Sequence, residues 1–328
     1  MQASIIIVTR EDQNFLNRLL VDLSNQDISE DDFEILILEA GQDHSKKTRF
    51  LLKEKSRNLK YFHVPDLGRE ASLNRLIEHS STDLIIRLDS RSSITKDYLS
   101  KIIKLSEDTQ AENVGGVMLP VHKNEMQRII AYVMRSRLSF GGAKFRDPNF
   151  KGYVDTLYLG AFNKSKIFMK KWFDEDYQGI SEDSDLNYRI QKSGGKIFLD
   201  STIIVEHYPR ETIRQFFRLC FNYGKGRGLF IIKHKSFAAY RRLIPIIFYL
   251  YNLIMITLSF KSLFFLYMSL GSLIIYLVLI ISASFEYKLS LIEKIKFSLA
   301  IIGCHFFWTS GLFSSIKDYI QIKKHLIK

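Results

Sequence analysis

Short apolar runs recur along the first third of the chain at strand length. Ser4–Val8 (SIIIV) and Glu34–Leu38 (EILIL) are continuous rather than alternating, the signature of strands buried on both faces. Between them Phe15, Leu16, Leu19, Leu20 and Leu23 fall on one face of a helix. Lys60–Val64 and Asp83–Asp89 (DLIIRLD) continue the series, separated by the amphipathic stretch Ser72–His79. Buried strands alternating with helices predict an α/β domain with a parallel sheet. Such sheets bind ligands beyond the strand C-termini. The polar residues there are Thr9-Arg10-Glu11-Asp12, Glu39 and Asp89-Ser90-Arg91. No GxGxxG follows a strand, so the dinucleotide fingerprint is absent.

Residues 123–150 are basic, aromatic and irregular, and read as a mobile loop region. Val154–Asn163 and a turn at Phe173–Asp176 follow. A helix is expected from Ser181-Glu182-Asp183 to Lys192, with Ser181 as N-cap and Gly194-Gly195 as the stop. Lys196–Val205 is a further strand. After Pro209 the character changes. Residues 210–242 carry nine Lys/Arg and one Glu, and three apolar segments come next: Leu243–Phe260, Ser262–Ala283 and about 297–316. The second has a good spanning length, and the other two are at the short end. Three such runs in succession predict a membrane region.

Charge sharpens this division. The formal charge is +12, yet from His207 onward 17 Lys/Arg face 4 Asp/Glu, leaving 30 basic and 31 acidic residues before it. A nucleic-acid binder would carry its basic patch on the folded domain. Here the excess flanks apolar segments, a membrane pattern, and nucleic acid is excluded as a partner. The two cysteines, Cys220 and Cys304, make neither a disulfide framework nor a metal knuckle. The apolar run at residues 4–8 is too short for a signal peptide and lacks its basic flank, so the first domain is expected in the cytoplasm. The positive-inside rule also places residues 210–242 there, and three crossings would then strand Lys317, Lys323, Lys324 and Lys328 outside. The two signals disagree.

Several positions offer chemistry. A carboxylate of Glu182-Asp183 at a helix start could take a proton from a sugar hydroxyl, although acids there also simply complement the helix dipole. Asp89, ending a strand, suits a hard cation on a diphosphate, or an ordinary loop start. His207 could be a further ligand, or a structural residue beside Tyr and Pro. Gln215 and Arg218 share a helix face and could clamp a phosphate; a basic interfacial helix accounts for them equally well.

The order of these features resembles glycosyltransferase family 2, with the GT-A fold, and especially its membrane-anchored exopolysaccharide members of the succinoglycan-biosynthesis type. SIIIVTRED resembles the first strand and nucleotide-contacting turn, and EILILEAGQDHS the second strand and the acidic position facing the base. LGREASLN and IIRLDSRS resemble the stretch before the third major helix and the DxD region. GAF at 160–162, then KWFDED and SEDSDLNYRIQKSGGKIFLD, form the most specific block. ETIRQFFRLCFNYGKGRG and HFFWTSGLF resemble the basic lead-in and last apolar segment of the subgroup.

The resemblance implies that Asp183 is the catalytic base and Glu182 its acidic neighbour. It places Thr9, Glu11, Glu39, Asn74, Asp89 and Arg91 around the nucleotide sugar, with Gln215 and Arg218 echoing the QxxRW motif of processive synthases. Asp89 and His207 would hold a divalent metal, Mg²⁺ or Mn²⁺. Three positions depart from the pattern: Glu39 stands for Asp, Arg91 for the second acid of DxD, and Leu219 for the Trp of QxxRW. A guanidinium cannot ligate a metal, so Arg91 itself could take phosphate charge. The expected organisation is a GT-A domain over 1–206, a basic interfacial segment over 207–242 and transmembrane helices within 243–328. The expected activity is inverting transfer from a UDP-sugar to a lipid-linked or polysaccharide acceptor. It would take place at the cytoplasmic face of the inner membrane, in a multi-pass protein in contact with membrane lipid. The rivals are a catalytically silent scaffold and a processive synthase.

Overall fold

The computed structural model describes residues 1–44, 58–140, 142–236 and 243–326. Ser45, the end of the second quoted motif, and residues 237–242 of the basic segment lie outside them. The chain forms two units, Met1–Leu119 with Lys144–Tyr208, and Pro120–Ala143 with Pro209–Lys328.

The first unit is built on β1 (Ala3–Thr9), α1 (Gln13–Ser24), β2 (Phe33–Glu39), β3 (Leu59–His63), α2 (Arg69–Glu78), β4 (Leu84–Asp89), β5 (Ser92–Ile94), α3 (Tyr98–Thr109) and β6 (Asn113–Pro120). After the second unit's first segment come β7 (Lys151–Tyr153), β8 (Ala161–Asn163), α6 (Glu182–Lys192) and β9 (Ile197–His207). The strand order is β3-β2-β1-β4-β8-β6-β9-β5, with β7 also on β9. β3, β2, β1 and β4 are parallel, as the apolar runs predict. β8 reverses direction against β4 and against β6, so the sheet is mixed rather than wholly parallel. The continuous apolar runs supply both faces. Ile5, Ile7, Ile35, Ile37 and Ile86 pack against Leu16, Leu20, Leu99 and Ile102 of α1 and α3. Ile6, Leu36, Leu38 and Ile85 pack against Leu73, Leu76, Leu186 and Ile190 of α2 and α6. Burial of these fully enclosed side chains drives the three-layer assembly, at about 1.5–3 kcal/mol each.

The second unit contains α4 (Glu125–Arg135), α5 (Arg137–Phe140), α7 (Ile213–His234), α8 (Ile244–Ser259), α9 (Leu263–Ser284) and α10 (Leu291–Leu326). Residues 123–150 are therefore not a loop throughout. Asn124 caps α4 through its side chain, and Ile129, Ile130, Val133 and Met134 give it a buried face. That spacing is the helical one, obscured in the sequence by the surrounding basic residues. The segment also does not belong to the sheet unit. Arg128 pairs with Glu293, Glu125 meets Lys296 at 2.8 Å, and Tyr132 stacks on Tyr287 at 4.6 Å. The third apolar segment is longer than expected, as one helix from Leu291 onward. Among the described residues α9 and Leu291–Tyr319 are long and apolar enough to cross a membrane, while α8 is shorter.

α7 and α10 meet backbone to backbone at glycines. A Cβ on Gly224 would lie 1.9 Å from the Trp308 carbonyl oxygen, and one on Gly311 equally close to that of Phe221. A Cβ on Gly271 in α9 would touch nothing within 4 Å. Gly224→Ala should therefore destabilise the detergent-solubilised protein by about 1–3 kcal/mol through overpacking, and Gly271→Ala should not. Equal thermal midpoints for the two variants would show that the seam is not tight.

Candidate active site

β4 carries an arginine in a run of aliphatic residues. Leu84, Ile86 and Leu88 point to the α1/α3 face, and Ile85, Arg87 and Asp89 to the face covered by α2 and α6. The Arg87 side chain is only 1% exposed. A charge so buried requires partners, and α6 supplies them. One Nη of Arg87 lies 2.7 Å from Glu182 Oε1, and the other pairs with Asp183 Oδ1. The guanidinium also sits 5.3 Å over the Phe173 ring.

The chain reaches this position through a forced turn. Gln178, Gly179 and Ser181 all have positive φ (52°, 81° and 66°). Ser181 makes no side-chain cap; its left-handed backbone takes it out of the extended conformation that an N-cap serine uses. The expected cap is thus replaced by a turn that delivers both acids to Arg87. α2 holds this loop from the other side. Arg69 pairs with Asp89 and reaches Glu182 at 3.2 Å. The Glu70 carboxylate accepts from the Gly179 amide. Asn74 donates to the Phe173 carbonyl and accepts from its amide, both at 2.8 Å. The Asn74 amide, expected near the nucleotide, is therefore engaged with the loop.

Two guanidiniums face three carboxylates, Asp89, Glu182 and Asp183, and that imbalance sets the protonation states. Burial pushes all three acids up. Arg87 and Arg69 bring Glu182 below the usual carboxylate range, and the same two arginines with His207 do so for Asp89. Asp183 keeps the deficit: burial raises it, Arg87 offsets part, and repulsion from Glu182 and Asp89 leaves it at about 7. Burial likewise lifts Glu70 to about 7.

Asp89 and His207 flank one phenol. Tyr158 donates to Asp89 Oδ2 at 3.2 Å and lies 3.0 Å from His207 Nδ1. With its single proton spent on Asp89, the hydroxyl accepts from Nδ1–H. Among the described residues no three His, Cys, Asp or Glu side chains converge as a metal cluster. The donor set thus fits only a cation that takes most of its ligands from phosphate and water, as Mg²⁺ does. Arg91, at the second DxD position, pairs with Asp12 at 3.0 Å and lies 4.5 Å over the Phe15 ring.

At the ends of β1 and β2, Thr9 and Glu39 are registered side by side. Both are buried, at 2% and 0% exposure, and Thr9 Oγ1 and Glu39 Oε2 have no hydrogen-bond partner. Glu39 Oε1 accepts from the Gly41 amide at 2.9 Å. A Cβ at Gly41 would come within 2.9 Å of Glu11 Cγ, so Glu11 closes the same corner. Two orphaned oxygens side by side are costly unless a ligand meets them. Gln215 and Arg218 lie on α7 in the second unit. There Gln215 closes a capping box with Thr212, its amide oxygen accepting from the Glu211 and Thr212 amides at 3.2 and 3.3 Å.

The structure gathers Asp89, Glu182, Asp183 and His207 in one place, joined by Arg87, Arg69, Glu70 and Tyr158, which the sequence analysis did not single out. The signal for Arg87 was present, a lone charge inside a strand with no polar face.

A mixed sheet with its first four strands parallel, and acids gathered where those strands end, define an α/β architecture with a polar site at the strand ends. Residues 4–169, half of the chain, match glycosyl transferase family 2, and the chain belongs to that family. It is 25% identical over 184 residues to the succinoglycan biosynthesis protein ExoA of Rhizobium meliloti (strain 1021), an alignment spanning 56% of each chain. A Methanococcus voltae relative is 25% identical over 241 residues, 70% of this chain and 74% of its own. Its name is dolichyl N-acetyl-alpha-D-glucosaminyl phosphate 3-beta-D-2,3-diacetamido-2,3-dideoxy-beta-D-glucuronosyltransferase. The crystal structure of S. aureus TarS superposes with a TM-score of 0.50 at 14% identity, over 74% of this chain and 45% of TarS. It bears on the fold alone, and the GT-A expectation holds.

Arg87→Met should cost about 3–5 kcal/mol, because it leaves Glu182 and Asp183 buried without their counter-ion. A thermal midpoint equal to that of the unmodified protein would contradict this. Asp183 gives a pH signature of definite sign. Its folded value, about 7, exceeds its ordinary 3.8, so its contribution is fully present below pH 4 and is lost as pH rises through 7. Asp183→Asn, which mimics the protonated form, should be close to the unmodified protein at pH 4 and more stable at pH 8. Melting curves at both pH values check this.

Proposed function

We propose that this chain transfers a sugar with inversion from a nucleoside-diphosphate donor, UDP-linked, to a lipid-linked saccharide at the cytoplasmic face of a membrane. The observation that carries the chemistry is Asp183, a carboxyl held near neutrality beside two arginines that cannot neutralise it fully. In its ionised form it accepts the proton of the acceptor hydroxyl as that oxygen attacks the anomeric carbon. The bond from that carbon to the diphosphate oxygen breaks, and the nucleoside diphosphate leaves with the electron pair. Glu182, kept ionised by Arg87 and Arg69, sustains the raised affinity of Asp183 for a proton.

The unpaired oxygens of Thr9 and Glu39 suit the hydroxyl and imide groups of a nucleoside, with Glu11 at the rim. Asp89 and His207 would hold a divalent cation, which when bound supplies positive charge to the departing diphosphate. Arg91, tethered to Asp12, lies at the same strand end and adds a fixed cation. Gln215 and Arg218 belong to the basic helix that precedes the apolar segments. The acceptor assignment is supported by the dolichyl phosphate-linked acceptor in the name of the M. voltae relative, and a role in exopolysaccharide synthesis by the succinoglycan role of the R. meliloti protein. Membrane attachment is supported by the two long apolar helices.

Release of UDP from UDP-sugars by the purified protein, with an acceptor and with and without Mg²⁺, tests the proposal. Asp183→Asn should lower turnover by ~10²–10⁴-fold while the protein still binds UDP. In the unmodified protein kcat/KM should rise with pH through an inflection near 7, the value at which Asp183 ionises. Near-normal turnover in the Asn variant would remove Asp183 as the base. Glu39→Ala should raise KM for the donor and leave kcat nearly unchanged, as loss of binding shared by ground and transition states does. A fall in kcat alone would place Glu39 elsewhere in the reaction.

A further inference from the structure

α10 is apolar and long enough to span a bilayer, but the elements packed on it cannot follow it there. α7 runs parallel to it: Phe217 meets Gly303, Gly224 meets Trp308 and Leu312, and Gly228 meets Ser315. α7 also carries Arg214, Arg218, Lys225 and Arg227, and Lys225 bonds Asp318 at 2.6 Å. His305 lies about midway between Lys296 and Lys317. Its Nε2 is 2.8 Å from the Leu138 carbonyl oxygen on α5. Between Arg135 and Arg137 the chain breaks from α4 into α5 at Ser136, whose ψ is 131°. If α10 crossed the membrane, this arginine-flanked segment would lie at the bilayer centre, where charged side chains are costly.

α8 and α9 are different. Asn252 ties them together through Ser269 and Ser272 at 2.8 and 2.9 Å, and Phe248 stacks on Tyr276. Their outer faces expose Ile247, Leu253, Phe264, Ile274, Ile275 and Val278. Lys261, at the turn between them, is the sole charge from Leu243 to Ser284. α9 has 22 residues, about 33 Å of helix, against a hydrocarbon core of about 30 Å.

We infer that the α8–α9 hairpin alone crosses the bilayer, and that α10 lies along the cytoplasmic lipid surface. There it turns its exposed stripe of Ile292, Ile295, Leu299 and Phe313 to the lipid, and its other faces to α4, α5 and α7 and, through His305 and Phe306, to Tyr276 and Tyr249 of the hairpin. The partner is a bilayer with an anionic cytoplasmic leaflet. The basic residues of 210–236, and Lys288, Lys294, Lys296 and Lys317, then fall on one side with Lys261 on the other. That removes the conflict within the positive-inside signal. The inference rests on the membrane attachment proposed above and does not depend on the chemistry.

Labelling of Lys261→Cys, Lys288→Cys and Lys317→Cys variants in intact bacterial spheroplasts with a membrane-impermeant maleimide tests it. Cys220 and Cys304 are buried and serve as the unlabelled background. Lys261→Cys should label from outside, and the other two only after the membrane is opened. Labelling of Lys317→Cys in intact spheroplasts overturns the surface position of α10. Labelling of Lys288→Cys from outside, or protection of Lys261→Cys, overturns the hairpin. Release of the protein by alkaline carbonate would overturn membrane insertion altogether, while UDP release by the same variants separately reports on the transferase proposal.

Discussion

The guanidinium of Arg87 is the constraint around which the first unit is arranged. An arginine with 1% exposure in the second core layer has no water to stabilise it, so two carboxylates must be brought to it. This accounts for the left-handed turn before α6, for the acids at its first two positions, and for the loop contacts made by α2. The same requirement makes the acidic pair a structural element as well as a chemical one. Three carboxylates against two arginines leave negative charge in excess, and burial with repulsion from Glu182 and Asp89 raises Asp183 despite its pairing with Arg87.

Tyr158 links this network to the β9 end of the sheet. By donating to Asp89 and lying against His207, it occupies the position between two side chains expected to share a cation. Its hydroxyl bridges them through contacts of 3.2 and 3.0 Å.

Much of this was legible in the sequence, for identifiable reasons. β1, β2 and β4 carry apolar residues on both faces, and that alone requires layers above and below. Asp89 and Glu182-Asp183 were legible because acids at a strand end and at a helix start are positions with a chemical use. Arg87 was not, since its burial depends on which face of β4 meets α6, and that face is set by contacts far away in sequence. The helical spacing of Ile129, Ile130, Val133 and Met134 was masked by basic neighbours whose partners, Glu293 among them, lie more than a hundred residues on. The antiparallel placement of β8 follows from a three-residue strand too short to announce a direction. Ser181 looked like a cap because residue type carries no information about a positive φ.

The glycine seam between α7 and α10 bears on how the enzyme can be truncated. A chain ended after residue 236 would retain α7 and α4 but lose the helix that covers both, presenting Gly224, Gly228 and the Ile129–Met134 face to water. Such a fragment would be soluble in composition and adhesive in practice. Excising only the hairpin, with a linker long enough to run back along α10 from residue 236 to Leu291, removes the most exposed apolar surface and leaves the seam closed. The hydrophobic tail is therefore two parts with different duties, and only one of them is dispensable to a water-soluble enzyme.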